Sequence, residues 1–295
     1  MQSLITDSAL AAYRRRRYRQ QPELRLWSLR EAAAFVDEVG LCLFQPNRTV
    51  ELPSLWGAVA GSDEPAPRWG QHGQLYERTW TWKDSLLSAG HHYYGRALGN
   101  YRLFLSRSLV PYLWALSDLN YGGEPDDYLE LYQDGKLSVD AKDVYAVLRR
   151  RGPSSTTVMR RESGLYGKGK IWQRFERALD ELQRGLLVSV VGVAHDNAWK
   201  YNFRYATLPD AFPQEVMLAR GIASREAMGT VLAHCVDLVG ASSVKETARL
   251  FHWSEERCLK AAQALLAEGK VLGHADGSLL LSARLAAQPM AETGS

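Results

Sequence analysis

Gln45, Asn47, Trp80, Trp82, Lys83 and Asp84 are the residues of this sequence whose types and spacing could do chemistry. Gln45 and Asn47 flank Pro46 at the end of an apolar run, Leu41-Cys42-Leu43-Phe44. An amide oxygen orients a water molecule and offers partial negative charge, but it does not accept a proton. Asp84 is the nearest carboxylate that could accept one. Lys83 beside it fits a surface or phosphate-contacting role, and Trp80 and Trp82 offer stacking planes. The same residues, with Glu51 and Trp56, also fit a plainer use as core and loop. Pro46 breaks a helix and withholds an N–H from a sheet, and Asn tolerates turn geometry. Residue types alone leave both uses open.

Other catalytic patterns are missing. There is no Walker A loop, no G-x-G-x-x-G after a strand, no G-x-S-x-G and no H-E-x-x-H. The seven His are scattered, and the adjacent His91 and His92 do not share a helix face. Cys42, Cys235 and Cys258 form no C-x-x-C pair, so reduced, buried thiols are expected rather than a disulfide framework. Neither a metal nor another cofactor is expected. The N-terminus has no apolar h-region and no apolar run approaches about 18 residues. These features predict a soluble, intracellular protein; a monomer of the cytoplasm, associated with the nucleoid and not with a membrane, is expected.

Charge is unevenly spread. Residues 1–30 carry seven Arg against Asp7 and Glu23, and residues 149–184 carry ten bases against four acids. With +5 and +6 in these segments and +3 overall, the rest of the chain carries −8. Two basic segments on an acidic body read as a directed footprint for a polyanion, with double-stranded DNA the expected partner, against the plainer reading of two solvated basic faces.

The elements that must position these residues follow from caps and periodicity. The chain is long enough for a large core and about two domains. Arg14, Arg15, Arg16 and Arg17, flanked by Tyr13 and Tyr18, read as a basic arm over residues 1–24, able to track phosphate or enter a minor groove. Ser28 and Glu31 suggest a capping box, and Gly40 a helix stop. Residues 61–79 read as an exposed loop, and 80–132 as an aromatic-rich, mainly helical section. From residue 133 three helices precede two strands. The third helix places Ile171, Phe175, Ala178, Leu179 and Leu182 on one face. Lys170, Gln173, Arg174, Arg177 and Arg184 fall on the other. Strands follow around His195-Asp196-Asn197, the second presenting Lys200 and Arg204. Three helices and a hairpin is the order of a winged helix, and it recurs over residues 214–285, where Ser243 and Glu246 form a capping box and Asp276-Gly277 turns a hairpin. Residues 25–132 hold a less regular third unit, and 286–295 a tail. The expected fold is mainly α with small β-hairpins, in tandem winged helices. The central unit is the expected DNA reader, its third helix in the groove and its bases on phosphate.

The stretches VGLCLFQPNRTVELPSLWGAVAG, TWTWKDSLL, LPDAF and DLVGASSVKETARLFHW resemble the AlkZ/YcaQ superfamily of winged-helix DNA glycosylases, most closely its AlkZ-related branch. The resemblance covers roughly residues 25–283. It implies a C-shaped chain of tandem winged helices and a monofunctional, metal-free glycosylase acting on alkylated or crosslinked purines in duplex DNA. It places Gln45-Pro46-Asn47 on the family's Gln-x-Gln or Gln-x-Asp signature, whose last residue positions the attacking water. Asn47 is neither of those residues. The family's Trp-x-His corresponds to Trp80-Thr81-Trp82, with Trp in the His position, and Asp84 stands near enough to replace lost chemistry. Trp80 and Trp82 would lie near the lesion. The two departures also fit a non-catalytic DNA-binding protein, a regulator or lesion sensor.

Overall fold

The computed structural model describes residues 6–67, 73–99, 101–198 and 201–287. Its first element, α1 (Asp7–Arg17), is capped by the Thr6 hydroxyl, which accepts from Ala9 N–H. Tyr13 and Tyr18 are buried, so the basic arm is a docked helix. The Tyr13 hydroxyl donates to the Asp237 carbonyl, and Arg14 Nε donates to Val239 O at 2.8 Å. Arg17 pairs with Glu38 at 3.2 Å and Asp237 at 3.5 Å. Only Arg15 and Arg16 of the run are exposed. Tyr13→Phe removes the hydroxyl donor and lowers stability by about 1 kcal/mol. Its measure is the urea midpoint, and an unchanged midpoint would detach α1 from the stability of the fold.

One element order repeats three times: helix, short strand, helix, helix, hairpin. The first unit is α2 (Leu29–Val39), β1 (Leu41–Leu43), α3 (Leu55–Ala60), α4 (Gln74–Ala89), β2 (Tyr93–Leu98) and β3 (Tyr101–Leu105). Two short helices, α5 (Val110–Ala115) and α6 (Asp127–Gln133), lead to the second. That unit is α7 (Val139–Arg151), β4 (Ser154–Ser155), α8 (Thr156–Glu162), α9 (Lys170–Arg184), β5 (Val188–Ala194) and β6 (Asn202–Thr207). After α10 (Leu208–Ala211) and α11 (Pro213–Ala219) come α12 (Ser224–Val239), β7 (Ala241–Ser242), α13 (Val244–Phe251), α14 (Glu255–Ala267), β8 (Val271–Gly273) and β9 (Leu280–Ser282), then α15 (Ala283–Ala286). In each unit the last strand lies centrally, antiparallel to both others: β1-β3-β2, β4-β6-β5 and β7-β9-β8. Among the described residues the fold is mostly helical with three small antiparallel sheets, a winged-helix architecture.

The first unit is more regular than the sequence suggests. β2 and β3 pair as a hairpin where a mainly helical section was expected, and α4 begins at Gln74, inside the expected loop. Gly90 ends α4 at φ +67°, in the left-handed region. Glu31 accepts from Trp27 N–H rather than Ser28 N–H, so only the Ser28 half of that capping box forms. At Ser243 and Glu246 both halves form. The core runs through the first and second units and α12, while a smaller cluster fills the third unit. Cys42, Cys235 and Cys258 are buried free thiols. Among the described residues no helix is long and apolar enough to cross a membrane.

Candidate nucleic-acid interface

The loop 44–53 is pinned at both ends. Leu43 N–H donates to Pro53 O at 2.8 Å, and Trp56 N–H to Phe44 O at 3.1 Å. Within it the two amides part. Gln45 Nε2 donates to the Tyr76 hydroxyl of α4 at 2.6 Å. Asn47 is exposed, and its Oδ1 accepts from both Thr49 N–H (2.8 Å) and the Thr49 hydroxyl (2.7 Å). That is an Asx turn, which fills both lone pairs of the amide oxygen. The Tyr101 hydroxyl of β3 holds Thr49 Oγ1 at 2.7 Å.

Asn47 and Pro46 line a groove of about 1010 Å³ between α1, this loop, the β2–β3 tip and α13. Five arginines reach it (Arg14, Arg15, Arg48, Arg184 and Arg249) against three carboxylates, Glu51, Asp63 and Glu246. Glu51 is 3.3 Å from Arg14, and Glu246 is engaged by Ser243 in its capping box. Arg15, Arg48 and Arg249 have no carboxylate partner among the described residues. A concave surface with unmatched guanidinium groups suits a polyanion.

Gln45 belongs instead to a seam between the first and second units. Tyr76, Trp80, Lys83 and Asp84 fall at i, i+4, i+7 and i+8, one face of α4. Tyr76 and Trp80 ring centroids are 6.1 Å apart, and Trp80 lies 5.7 Å from Tyr201 of the second unit. Lys83 is only 1% exposed, with Nζ 4.0 Å from the Trp80 centroid, 5.1 Å from Tyr201, 5.2 Å from Phe203 and 5.5 Å from Phe44. Asp84 Oδ1 is 2.7 Å from the ammonium and accepts from the Tyr201 hydroxyl at 2.8 Å. Burial pulls Lys83 down to about 8, against the hydrogen bond and charge of Asp84, which hold it up. The Tyr201 hydroxyl is pushed up, first by burial and then by donating to Asp84. The expected surface lysine is thus a caged internal cation. Trp82 points another way and packs on the core.

The expected DNA-contacting residues are dispersed. Lys170, Gln173, Arg174 and Arg177 are exposed on α9. Arg174 is already held by Asp140, at 2.9 and 2.6 Å, and Arg177 Nε donates to Gln173 O at 3.4 Å. Arg204 lines a separate hollow beside Ser88 and His92. Lys200 lies outside the described residues. The structure therefore gathers Arg14, Arg15 and Asn47 at the groove and Gln45, Trp80 and Asp84 at the seam. Sequence reasoning missed Arg48, Arg249 and Tyr101 at the groove and Tyr76 and Tyr201 at the seam. Arg48 is adjacent to Asn47 and could have been found; the others are joined to the site only by the fold.

Both the sequence and the fold match known proteins. The model of the AlkZ-related family matches residues 26–252, and the chain belongs to that family. Its structure is similar to the Streptomyces sahachiroi DNA glycosylase AlkZ, with a TM-score of 0.56 and 13% identity, over 95% of this chain and 72% of that one. No curated protein matches the chain.

Proposed function

We propose that the protein binds duplex DNA in the groove and acts there as a monofunctional glycosylase on alkylated or crosslinked purines. The observation that carries this is the meeting of Arg15, Arg48 and Arg249, free of carboxylate partners among the described residues, with the Asn47 turn in one concavity. An N7-alkylated purine already carries positive charge, so it leaves without a proton from the protein. What the site must supply is a placed water at the anomeric carbon and an environment that tolerates an oxocarbenium-like centre. At the seam beside the groove loop, Gln45 keeps its carbonyl oxygen as an acceptor while one Nε2 N–H goes to Tyr76. Asn47 keeps its Nδ2 donor. The three six-element units are proposed as docking modules, divided near residues 132/133 and 213/214.

The occupied Asn47 oxygen favours a second reading, a DNA-binding protein on the same scaffold that senses lesions without turnover. An excision assay on duplex carrying N7-alkylguanine or a nitrogen-mustard crosslink decides between them. Glycosylase action gives alkali-labile strands, and binding without breakage across a lesion panel selects the sensor. Where breakage occurs, Gln45→Ala, Asn47→Ala and Asp84→Ala locate the working side chain. In either case, replacing Arg15, Arg48 and Arg249 with Ala weakens duplex binding. It also reduces the slope of log affinity against log salt by about 0.9 for each phosphate no longer neutralised. An unchanged slope in a salt titration would move DNA out of the groove.

A further inference from the structure

Ile171 begins the stripe of residues on α9 that the apolar periodicity assigns to the core, yet it is 40% exposed, and its neighbour Trp172 is 47% exposed. Phe175, Ala178, Leu179 and Leu182 of the same stripe are buried. The stripe therefore leaves the core at the start of the helix and surfaces there. Single exposed apolar side chains are ordinary. Here two large ones are adjacent, and a third, Tyr166, stands 56% exposed in the loop before them. The loop leans on the helix: a Cβ on Gly167 would lie 3.0 Å from Ile171. Arg160 ties the two together, 5.4 Å from the Tyr166 centroid and 5.9 Å from that of Phe175. Arg161 covers Tyr166 at 5.0 Å.

The surroundings are cationic. Residues 160–177 hold six bases and two acids. One acid, Glu162, is taken by Arg150 at 2.8 Å and by Arg151. Arg161, Lys168 and Lys170 have no carboxylate partner among the described residues. A hydrophobic partner protein gains nothing from such a ring of unmatched cations, whereas a duplex offers both phosphates and the faces of stacked bases. Apolar side chains that enter a base step part it and bend the duplex, at a cost that added contacts offset.

We propose that Ile171 and Trp172 form a wedge that enters duplex DNA between base pairs, with Arg161, Lys168 and Lys170 fastening the flanking phosphates. The proposal rests on the duplex-binding reading above and adds a second contact, remote in sequence from the groove loop, that opens the stack. Parting a step would loosen a bulky base in the stack without full extrusion.

The test uses the full chain and a duplex with 2-aminopurine at successive positions, whose fluorescence rises when its stack is broken. Wild type at saturation should raise the signal several-fold at one or two adjacent positions. The double variant Ile171→Ala, Trp172→Ala should still bind but lose most of that rise. Lys168→Ala, Lys170→Ala should weaken binding and flatten its salt dependence while retaining the rise at saturation. All four positions are exposed, and thermal melts confirm that each variant is folded. A full rise with the double variant, or binding by wild type with no rise anywhere, overturns the wedge and leaves duplex binding standing. Failure of wild type to bind duplex overturns both. Concentration-dependent self-association abolished by Trp172→Ala, without any rise, assigns the patch to a second copy and also overturns the wedge.

Discussion

Asn47→Asp raises the rate at which the purified protein releases an N7-alkylated purine from duplex DNA by on the order of 10²-fold, the lower range for a positioned general base. The present amide has no acceptor to spare, because Thr49 N–H and hydroxyl both donate to its Oδ1. A carboxylate keeps that turn on one oxygen and gains a second, ionised oxygen. Arg48 is its chain neighbour, and Arg14 and Arg15 line the same groove, so opposite charge favours the ionised form. The loop is hydrogen-bonded at both ends, which holds the new oxygen in the groove. The added negative charge also repels phosphate, so binding weakens a few-fold while the single-turnover rate climbs. Single-turnover excision at saturating protein separates the two effects. Equal rates for wild type and variant would place water activation elsewhere than at Asn47, and no release by either would remove the glycosylase reading.

Much of the fold was legible, for reasons that particular residues make plain. The second and third units are marked by Ser138, Ser155, Ser243 and Ser254, which all cap helices, each just before an apolar period. The hairpin at 93–105 was not legible. β2 packs against β5 and α9 as well as within its own sheet, so both its faces are largely buried and Tyr93, Tyr94, Leu103, Phe104 and Leu105 form runs rather than an alternation. Ile171 shows the converse. Periodicity marks a helix face but does not say where along the helix the neighbouring element ends. The candidate site was half legible. The Gln-Pro-Asn turn and the tetra-Arg run are visible as motifs, and their meeting at one groove depends on α1 docking beside α12, which no local pattern encodes. Lys83 illustrates the limit most clearly, because Tyr201, which bonds it, is 118 positions away.

Relative to Lys83→Met, the wild-type protein gains stability between pH 8 and pH 10.5, by on the order of 3 kcal/mol in all. In the unfolded chain the ammonium releases its proton near 10.5, while in the fold burial pulls it down to about 8. Between those values the unfolded chain binds more protons than the native one, so unfolding grows less favourable as pH rises. Below about 8 both states carry the proton and the difference is flat. Above 10.5 both have lost it and the difference is flat again. Met fits the cage of Phe44, Trp80, Tyr201 and Phe203 with similar length and a favourable sulfur–ring contact, and the partly exposed Asp84 keeps the Tyr201 hydroxyl. The buried thiols and tyrosines also titrate over this range, in the direction that weakens the fold as pH rises, since burial raises Cys42, Cys235 and Tyr94. They are common to both proteins and cancel in the difference. Urea unfolding of the pair at pH 7.5, 8.5, 9.5 and 10.5 is the measurement. A difference that stays constant across the series would mean that Lys83 titrates as an exposed lysine does, and that the aromatic cage at the seam is open in solution.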